Sequence, residues 1–272
     1  MTQITGKENL VDWEGERLVP TNANLDTSVN HIIRYQFAKE NIFGKTLDAA
    51  CGAGYGTFLL SEDYTDEVYG IDIEQSAIQW ASGTYGEQSN LTFEEQDIYK
   101  TSYNDGEFDT IVSFETLEHL PDLDNYFKEL KRILSQNGQI IFSVPDWETN
   151  NGAGNINKFH LNELTFESFT EYLEKYFTSS KFYFQEIRKP TTNQKTISFF
   201  ASFLPLRLKA FLKNLIANNS NKTRFNGKNF IELEEAYSEI FNSYRVRDIQ
   251  EYEDLRNEDD DSRFVFLAIC QK

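Results

Sequence analysis

The sequence predicts a doubly wound α/β fold, and three observations carry that reading. The first is the stretch from Thr46 to Gly56, Thr-Leu-Asp-Ala-Ala-Cys-Gly-Ala-Gly-Tyr-Gly, with Thr57-Phe58-Leu59-Leu60 behind it. It reads as a short buried strand, a glycine turn and the opening of a helix. Glycine lets the backbone turn sharply and approach a ligand with no Cβ in the way. Strand, glycine loop and helix together make the nucleotide-binding corner of such sheets. The second observation is alternation. Five strand-like runs between residues 46 and 144 are separated by helical periodicity, which implies a parallel sheet with right-handed crossovers. The third is a row of acids, Asp48, Asp72 and Asp97, near the ends of the first three strands, where open α/β sheets bind ligands.

The elements follow in order. Residues 27–40 read as an amphipathic helix with Val29, Ile32, Ile33 and Phe37 at helical spacing and Asp26 or Thr27 as cap. His31 on this helix reads as a surface or packing residue. After the glycine loop, residues 67–73 form the second strand, ending on Asp72. A helix over 75–82 turns Ala77, Ile78 and Ala81 inward. Residues 91–96 form the third strand, closed by Asp97-Ile98. Phe108 to Phe114 is an apolar run of parallel-sheet type. Pro121 is placed to start a helix running to about Ser135, with Phe127, Leu130, Ile133 and Leu134 inward and Asn137-Gly138 as its end. Gln139 to Val144 is the fifth strand. Thr165 caps a helix to about Phe177, residues 181–187 form a sixth strand, and 262–269 a seventh.

At 272 residues with a net charge of −18, the chain fits one large α/β domain with a small appendage, and the charge argues against general affinity for nucleic acid backbones. Its two cysteines, Cys51 and Cys270, form no disulfide framework, so a reducing, cytoplasmic setting is expected. Met1 to Leu10 lacks an apolar core of the secretory type, and no apolar run is long enough to span a bilayer.

Spacing and one acid narrow the nucleotide. A dinucleotide fingerprint is G-x-G-x-x-G. Here the third glycine, Gly56, comes one residue early and Thr57 stands where that pattern wants glycine; a P-loop lysine is also absent. Asp48 would repel a pyrophosphate but suits a ligand with a cationic end, and S-adenosylmethionine carries a sulfonium and an ammonium and no phosphate. The segment resembles motif I of the class I S-adenosylmethionine-dependent methyltransferases, and the block 40–145 as a whole is similar to their core. An acid ending the second strand can accept from both ribose hydroxyls. One after the third can accept from the adenine amine while Ile98 covers the ring. The resemblance also implies that residues 113–116 line the methionine end and that the last strand runs antiparallel between strands five and six. The expected cofactor residues are therefore Asp48, Ala50, Cys51, Gly52, Gly54, Asp72, Ile73, Asp97, Ile98, Phe114 and Glu115.

The acceptor side is read from shorter signals. Glu16-Arg17-Leu18-Val19-Pro20 and Lys158-Phe159-His160 resemble motifs of a bacterial methyltransferase subgroup often tied to sugar and cell-surface polysaccharide synthesis, with Leu18 and Lys158 departing from its pattern. That resemblance implies a sugar, glycan or related small-molecule acceptor. A hydroxyl acceptor needs its proton removed, which suits a histidine. The candidate bases are His160 first, then His119, then Asp146. N-methylation of an amino sugar and non-catalytic S-adenosylmethionine binding stay open as alternatives, while Asp48 and the glycine spacing disfavour a nicotinamide oxidoreductase.

The expected division is a strap and helix over 1–40, a core over 41–188, an insertion and acidic connector over 189–261, and a closing strand over 262–272. Residues 189–228 hold eight lysines and arginines and no acid, interleaved with apolar residues at helical spacing. Such a segment can act as a lid, pair with the acidic body, or contact a membrane surface or an anionic ligand. No metal constellation is visible in the sequence, and Glu258-Asp259-Asp260-Asp261 lacks calcium-loop spacing. Oligomeric state is left open.

Overall fold

The computed structural model describes residues 25–150, 159–187, 246–252, 255 and 263–272. The Glu16–Pro20 motif, Asn157-Lys158, the basic stretch 189–228 and the acidic run 258–261 lie outside them. The strands are β1 (Thr46–Ala49), β2 (Val68–Asp72), β3 (Leu91–Glu95), β4 (Phe108–Phe114), β5 (Leu134–Pro145), β6 (Ser179–Ile187), β7 (Val246–Asp248) and β8 (Arg263–Gln271). The helices are α1 (Leu25–Asn41), α2 (Tyr55–Ser61), α3 (Gln75–Tyr85), α4 (Leu123–Ile133), α5 (Trp147–Asn150) and α6 (Phe166–Tyr176).

These strands form one sheet in the order β3-β2-β1-β4-β5-β8-β6-β7. β1 through β5 pair in parallel, and β8 runs antiparallel between β5 and β6, as expected. Among the described residues the sheet has eight strands rather than seven. The extra strand is β7, which adds three residues antiparallel to β6 at the edge, inside the stretch read as a connector.

Strand periodicity explains why both faces are covered. In β8, Phe264, Phe266, Ala268 and Cys270 pack into one core with α4 and α6. The intervening Val265 and Leu267 pack into the other, with α1 and α2. Successive side chains point to opposite faces, so a run apolar at every position signals a strand buried on both.

A boundary and a buried face differ from expectation. α4 stops at Ile133, and Leu134 already belongs to β5, opposite Phe108. The helical stripe therefore ends one residue early: Leu134 is buried from an extended backbone. A register shift between Phe108 and Thr110 absorbs the early start. In α1, Ile33 is buried, but the inward face is carried by Asn30, Arg34, Tyr35 and Ala38, with Ile42 just after the helix, a stripe rotated from the apolar one. Arg34 and Tyr35 can be buried there because each finds partners. The Arg34 Nη1 donates to Gln185 Oε1 at 2.8 Å, and the Tyr35 hydroxyl donates to Asp48.

Tyr35 also explains Gly56, on the first turn of α2. A Cβ built at Gly56 would run into the Tyr35 ring. Gly56→Ala is expected to cost about 1–3 kcal/mol by overpacking, seen as a lower urea midpoint at unchanged m-value. An unchanged midpoint would mean that the α1–α2 contact is slack.

Candidate cofactor site

The site lies where the strand order reverses. β1 pairs with β2 on one side and β4 on the other, so the loops leaving β1 and β4 diverge and open a crevice between them. A cleft of about 480 Å³ occupies that crevice. Ala50, Cys51 and Gly52 from the first loop line it, with Asp72 and Ile73 after β2 and Asp97 and Ile98 after β3. Phe114, Glu115, Thr116 and His119 line it from the β4 side. Nine of the eleven cofactor residues expected from sequence thus meet on one wall or another. Asp48 and Gly54 are not among the lining residues.

Gly54 acts through shape. Its φ of 76° is left-handed, and a Cβ there would stand 2.5 Å from Ala81 Cβ and 2.6 Å from the Phe93 ring. Gly52 is also left-handed, at φ 54°. Two non-glycine residues share that strained conformation at the ends of the flanking strands, Ala50 at φ 63° and Glu115 at φ 48°. Strain of this kind costs on the order of 1–3 kcal/mol and clusters at ligand sites.

Asp72 organises the rim. One carboxylate oxygen accepts from the Gly52 amide and the other from the Glu74 amide, both at 2.9 Å. The acid thereby ties the glycine loop to the end of β2 while facing the cleft. Asp97 is exposed and accepts from the Tyr99 amide at 2.9 Å. Ile73 is 65% exposed, an apolar surface left open beside these two acids.

Asp48 sits beneath the loop. It is buried and accepts from Thr57 Oγ1 at 2.7 Å and from the Tyr35 hydroxyl at 3.2 Å. Burial pushes its carboxyl up to about 7, with Asp72 adding repulsion and the two hydroxyl donors opposing the rise. Cys51 is held as a neutral thiol, raised by burial and by the nearby carboxylates.

α1 adds residues that the sequence reading left out. His31 and Tyr35 line the cleft, as does Tyr55 of α2. His31 Nδ1 is hydrogen-bonded to the Tyr55 hydroxyl at 2.9 Å, and burial followed by the Arg34 charge holds the imidazole neutral, well below its ordinary range. Arg34 also approaches Glu115 at 3.8 Å, and Ser143 Oγ donates to Glu115 at 2.8 Å. A signal for this was present: His31, Arg34, Tyr35 and Ala38 follow helical spacing as a second stripe.

The candidate bases separate. His119 is on the cleft wall, on the 3-10 turn Leu117–His119 after β4. His160 is not among the lining residues; its ring meets His119 edge-on at a centroid distance of 5.1 Å. Asp146 is fully buried away from the cleft, with its Oδ2 accepting from Thr149 Oγ1 at 2.8 Å and from the Tyr252 hydroxyl at 3.0 Å. Expected from sequence as a base or a substrate hydrogen-bond acceptor, it is held by these bonds at the start of α5 and is not among the cleft's lining residues.

This open, mostly parallel sheet, with a glycine corner under an acid-rimmed crevice, defines a Rossmann-like nucleotide-binding fold. Comparison with known proteins narrows it. Residues 47–142 match the family model described as Methyltransferase domain. A Mycolicibacterium smegmatis protein named "Probable S-adenosylmethionine-dependent methyltransferase" is 28% identical over 164 residues, covering 59% of this chain and 62% of its own length. Phosphoethanolamine N-methyltransferase 3 of Arabidopsis thaliana is 32% identical over 100 residues, covering 36% of this chain and 20% of its own length. The chain thus spans less than two thirds of either relative. The solved structure of a Thermotoga maritima S-adenosylmethionine-dependent methyltransferase agrees in fold, with a TM-score of 0.56 at 13% identity over 91% of this chain and 92% of that one. The segment from β1 into β5 therefore matches a methyltransferase domain model and is similar to S-adenosylmethionine-dependent methyltransferases in sequence and fold.

The cleft fits that cofactor. It offers carboxylates and apolar covers at the ends of β2 and β3, and among the described residues its lining includes no lysine or arginine for a pyrophosphate.

Proposed function

We propose that the protein transfers a methyl group from S-adenosylmethionine to a hydroxyl of a sugar, glycan or related small molecule. The observation that carries the reading is the cleft, with acids at the ends of β2 and β3 on one side and His119 on the other. Asp72 would hold the ribose hydroxyls, Asp97 the adenine amine, and Ile73 and Ile98 the ring faces. Phe114, Glu115 and Thr116 would border the methionine end. When bound, the cofactor supplies an electrophilic methyl on a sulfonium, whose departure leaves a neutral thioether and needs no acid. The protein's own work is then to align the acceptor, exclude water and accept one proton.

His119 suits that last task. Its Nδ1 lies 3.1 Å from the Phe159 carbonyl oxygen. A carbonyl only accepts, so Nδ1 carries the proton and Nε2 keeps the lone pair. In this reading the order expected from sequence is reversed: His119, which lines the cleft, would take the proton, and His160, which does not line it, would stand behind. His119→Ala is expected to lower turnover by about 10²–10⁴-fold while S-adenosylmethionine binding persists. Unchanged turnover with the true acceptor would remove the imidazole from the mechanism.

N-methylation is the second reading, favoured by the phosphoethanolamine N-methyltransferases among the relatives. An amine acceptor needs only a weak base. A screen of nucleotide sugars, glycans, amino sugars and phosphoethanolamine, read by S-adenosylhomocysteine release, separates the two. Release with none of them, from a protein that binds the cofactor, would favour a non-catalytic binder. In the proposed organisation the core, 41–188 with 262–272, is joined by α1 and β7 and works in a reducing, cytoplasmic setting. Among the described residues, no helix is long and apolar enough to cross a membrane.

A further inference from the structure

We infer that Glu118, His119 and His160 form a binding site for one divalent transition-metal cation at the acceptor end of the cleft. One donor atom from each of the three lies within 4.8 Å of the other two. Two imidazoles and a carboxylate are a mixed nitrogen and oxygen set suited to zinc, iron, cobalt or manganese rather than to calcium or magnesium. Three protein donors also leave positions open for water or a substrate oxygen.

The tautomer and the spacing point the same way. His119 Nδ1 donates to the Phe159 carbonyl, the outer hydrogen bond that metal-ligating histidines commonly make. That leaves the Nε2 lone pair facing Glu118 Oε1 across 3.9 Å. The gap is too long for a hydrogen bond. A lone pair and a carboxylate oxygen at that separation can both be directed at one cation. A cation at ~2.0–2.2 Å from each donor would fill the gap after small side-chain rotations.

The backbone holds the two halves of the set together. The Glu118 carbonyl accepts from the Leu161 amide at 2.7 Å and from the Asn162 amide at 3.1 Å. Asn162 Nδ2 in turn donates to the carbonyls of Leu117 and Leu120. The segment carrying His160 is thus stapled to the turn carrying Glu118 and His119.

The catalytic use of this site rests on the methyl-transfer reading and changes one step in it. A hydroxyl oxygen bound to the cation loses its proton more easily. The proton passes to solvent, the oxygen keeps the O–H electron pair, and His119 serves as ligand rather than base.

The test uses the full chain, stripped with a chelator and dialysed, and titrated with Zn²⁺ by calorimetry and with Co²⁺ by visible absorption. We expect one tight equivalent of Zn²⁺ and cobalt d–d bands of a nitrogen-ligated site. In His160→Ala we expect both to be lost, or weakened by more than the roughly 10–100-fold that disturbing an outer-shell partner costs. Glu118 is buried, so Glu118→Gln is compared only after its melting curve shows a folded protein. Zinc binding as tight in His160→Ala as in the parent chain would reduce the effect to carboxylates of an acidic protein and overturn the site. S-adenosylmethionine titrated into the same samples separates the two proposals. Cofactor binding without specific zinc binding removes the cation and leaves the transferase reading. Zinc binding without cofactor binding removes the transferase reading and with it the catalytic use.

Discussion

Asp72→Ala is expected to weaken S-adenosylmethionine binding by about 100-fold or more while leaving the protein folded. The carboxylate has two jobs at once. Its oxygens accept from the Gly52 and Glu74 amides and so fix the glycine loop against the end of β2. The same group faces the cleft, where a ribose diol would lie. Hydrogen bonds to a charged acceptor contribute about 1.5–3 kcal/mol each, and each 1.4 kcal/mol is about tenfold in affinity. The loop bonds exist with or without the ligand and bear on loop order; two bonds to the ribose hydroxyls, together about 3–6 kcal/mol, by themselves amount to two decades or more. Calorimetric titration with S-adenosylmethionine and S-adenosylhomocysteine reads the effect, with NAD as the discriminating control. Asp72→Asn keeps one oxygen acceptor and should fall between the two. Parent-like affinity in Asp72→Ala would mean that the cofactor does not lie on this rim, and the site assignment would fail with it.

The value of that experiment depends on why Asp72 was visible in the sequence at all. A strand of five residues with an acid at its carboxyl end is a local pattern, and the position of strand ends in a parallel sheet follows from topology. Asp97 and Ile98 follow the same local pattern after β3, whereas Phe114 and Glu115 were expected only through the resemblance. The antiparallel place of β8 was legible only through resemblance, because nothing in Arg263 to Gln271 says which strands it separates. Other features required coordinates. The buried stripe of α1 was hidden because Arg34 and Tyr35 look like surface residues until Gln185 and Asp48 are found opposite them. Those partners are 151 and 13 residues away. The Glu118–His119–His160 cluster was hidden by the same distance in sequence. Asp146 is the opposite case: an acid after β5 looks available in the sequence, and its partner Tyr252 lies 106 residues on.

Asp48 carries the second large effect, and it concerns pH. With the folded carboxyl at about 7 and the ordinary value near 3.8, the folded chain holds a proton that the unfolded chain has released over that window. Below about pH 4 both states are protonated and the group contributes nothing to the pH dependence. Between pH 4 and 7 the unfolded state binds fewer protons, so stability falls as pH rises. Above about 7 both are ionised and the loss is complete. At about 1.36 kcal/mol per tenfold difference in proton affinity, the ceiling is about 4 kcal/mol. Asp48→Asn removes the titration and keeps an oxygen for Thr57 and Tyr35. Urea unfolding of both proteins from pH 4 to 8 is expected to show the parent losing stability relative to the variant across that interval. Parallel curves would mean that Asp48 stays ionised in the folded chain throughout. The expected slope also bears on function, since a cationic ligand above the loop would favour the ionised acid. Asp48, two residues back from the cleft wall at Ala50, would then act on the cofactor as a charge under the loop rather than as a contact.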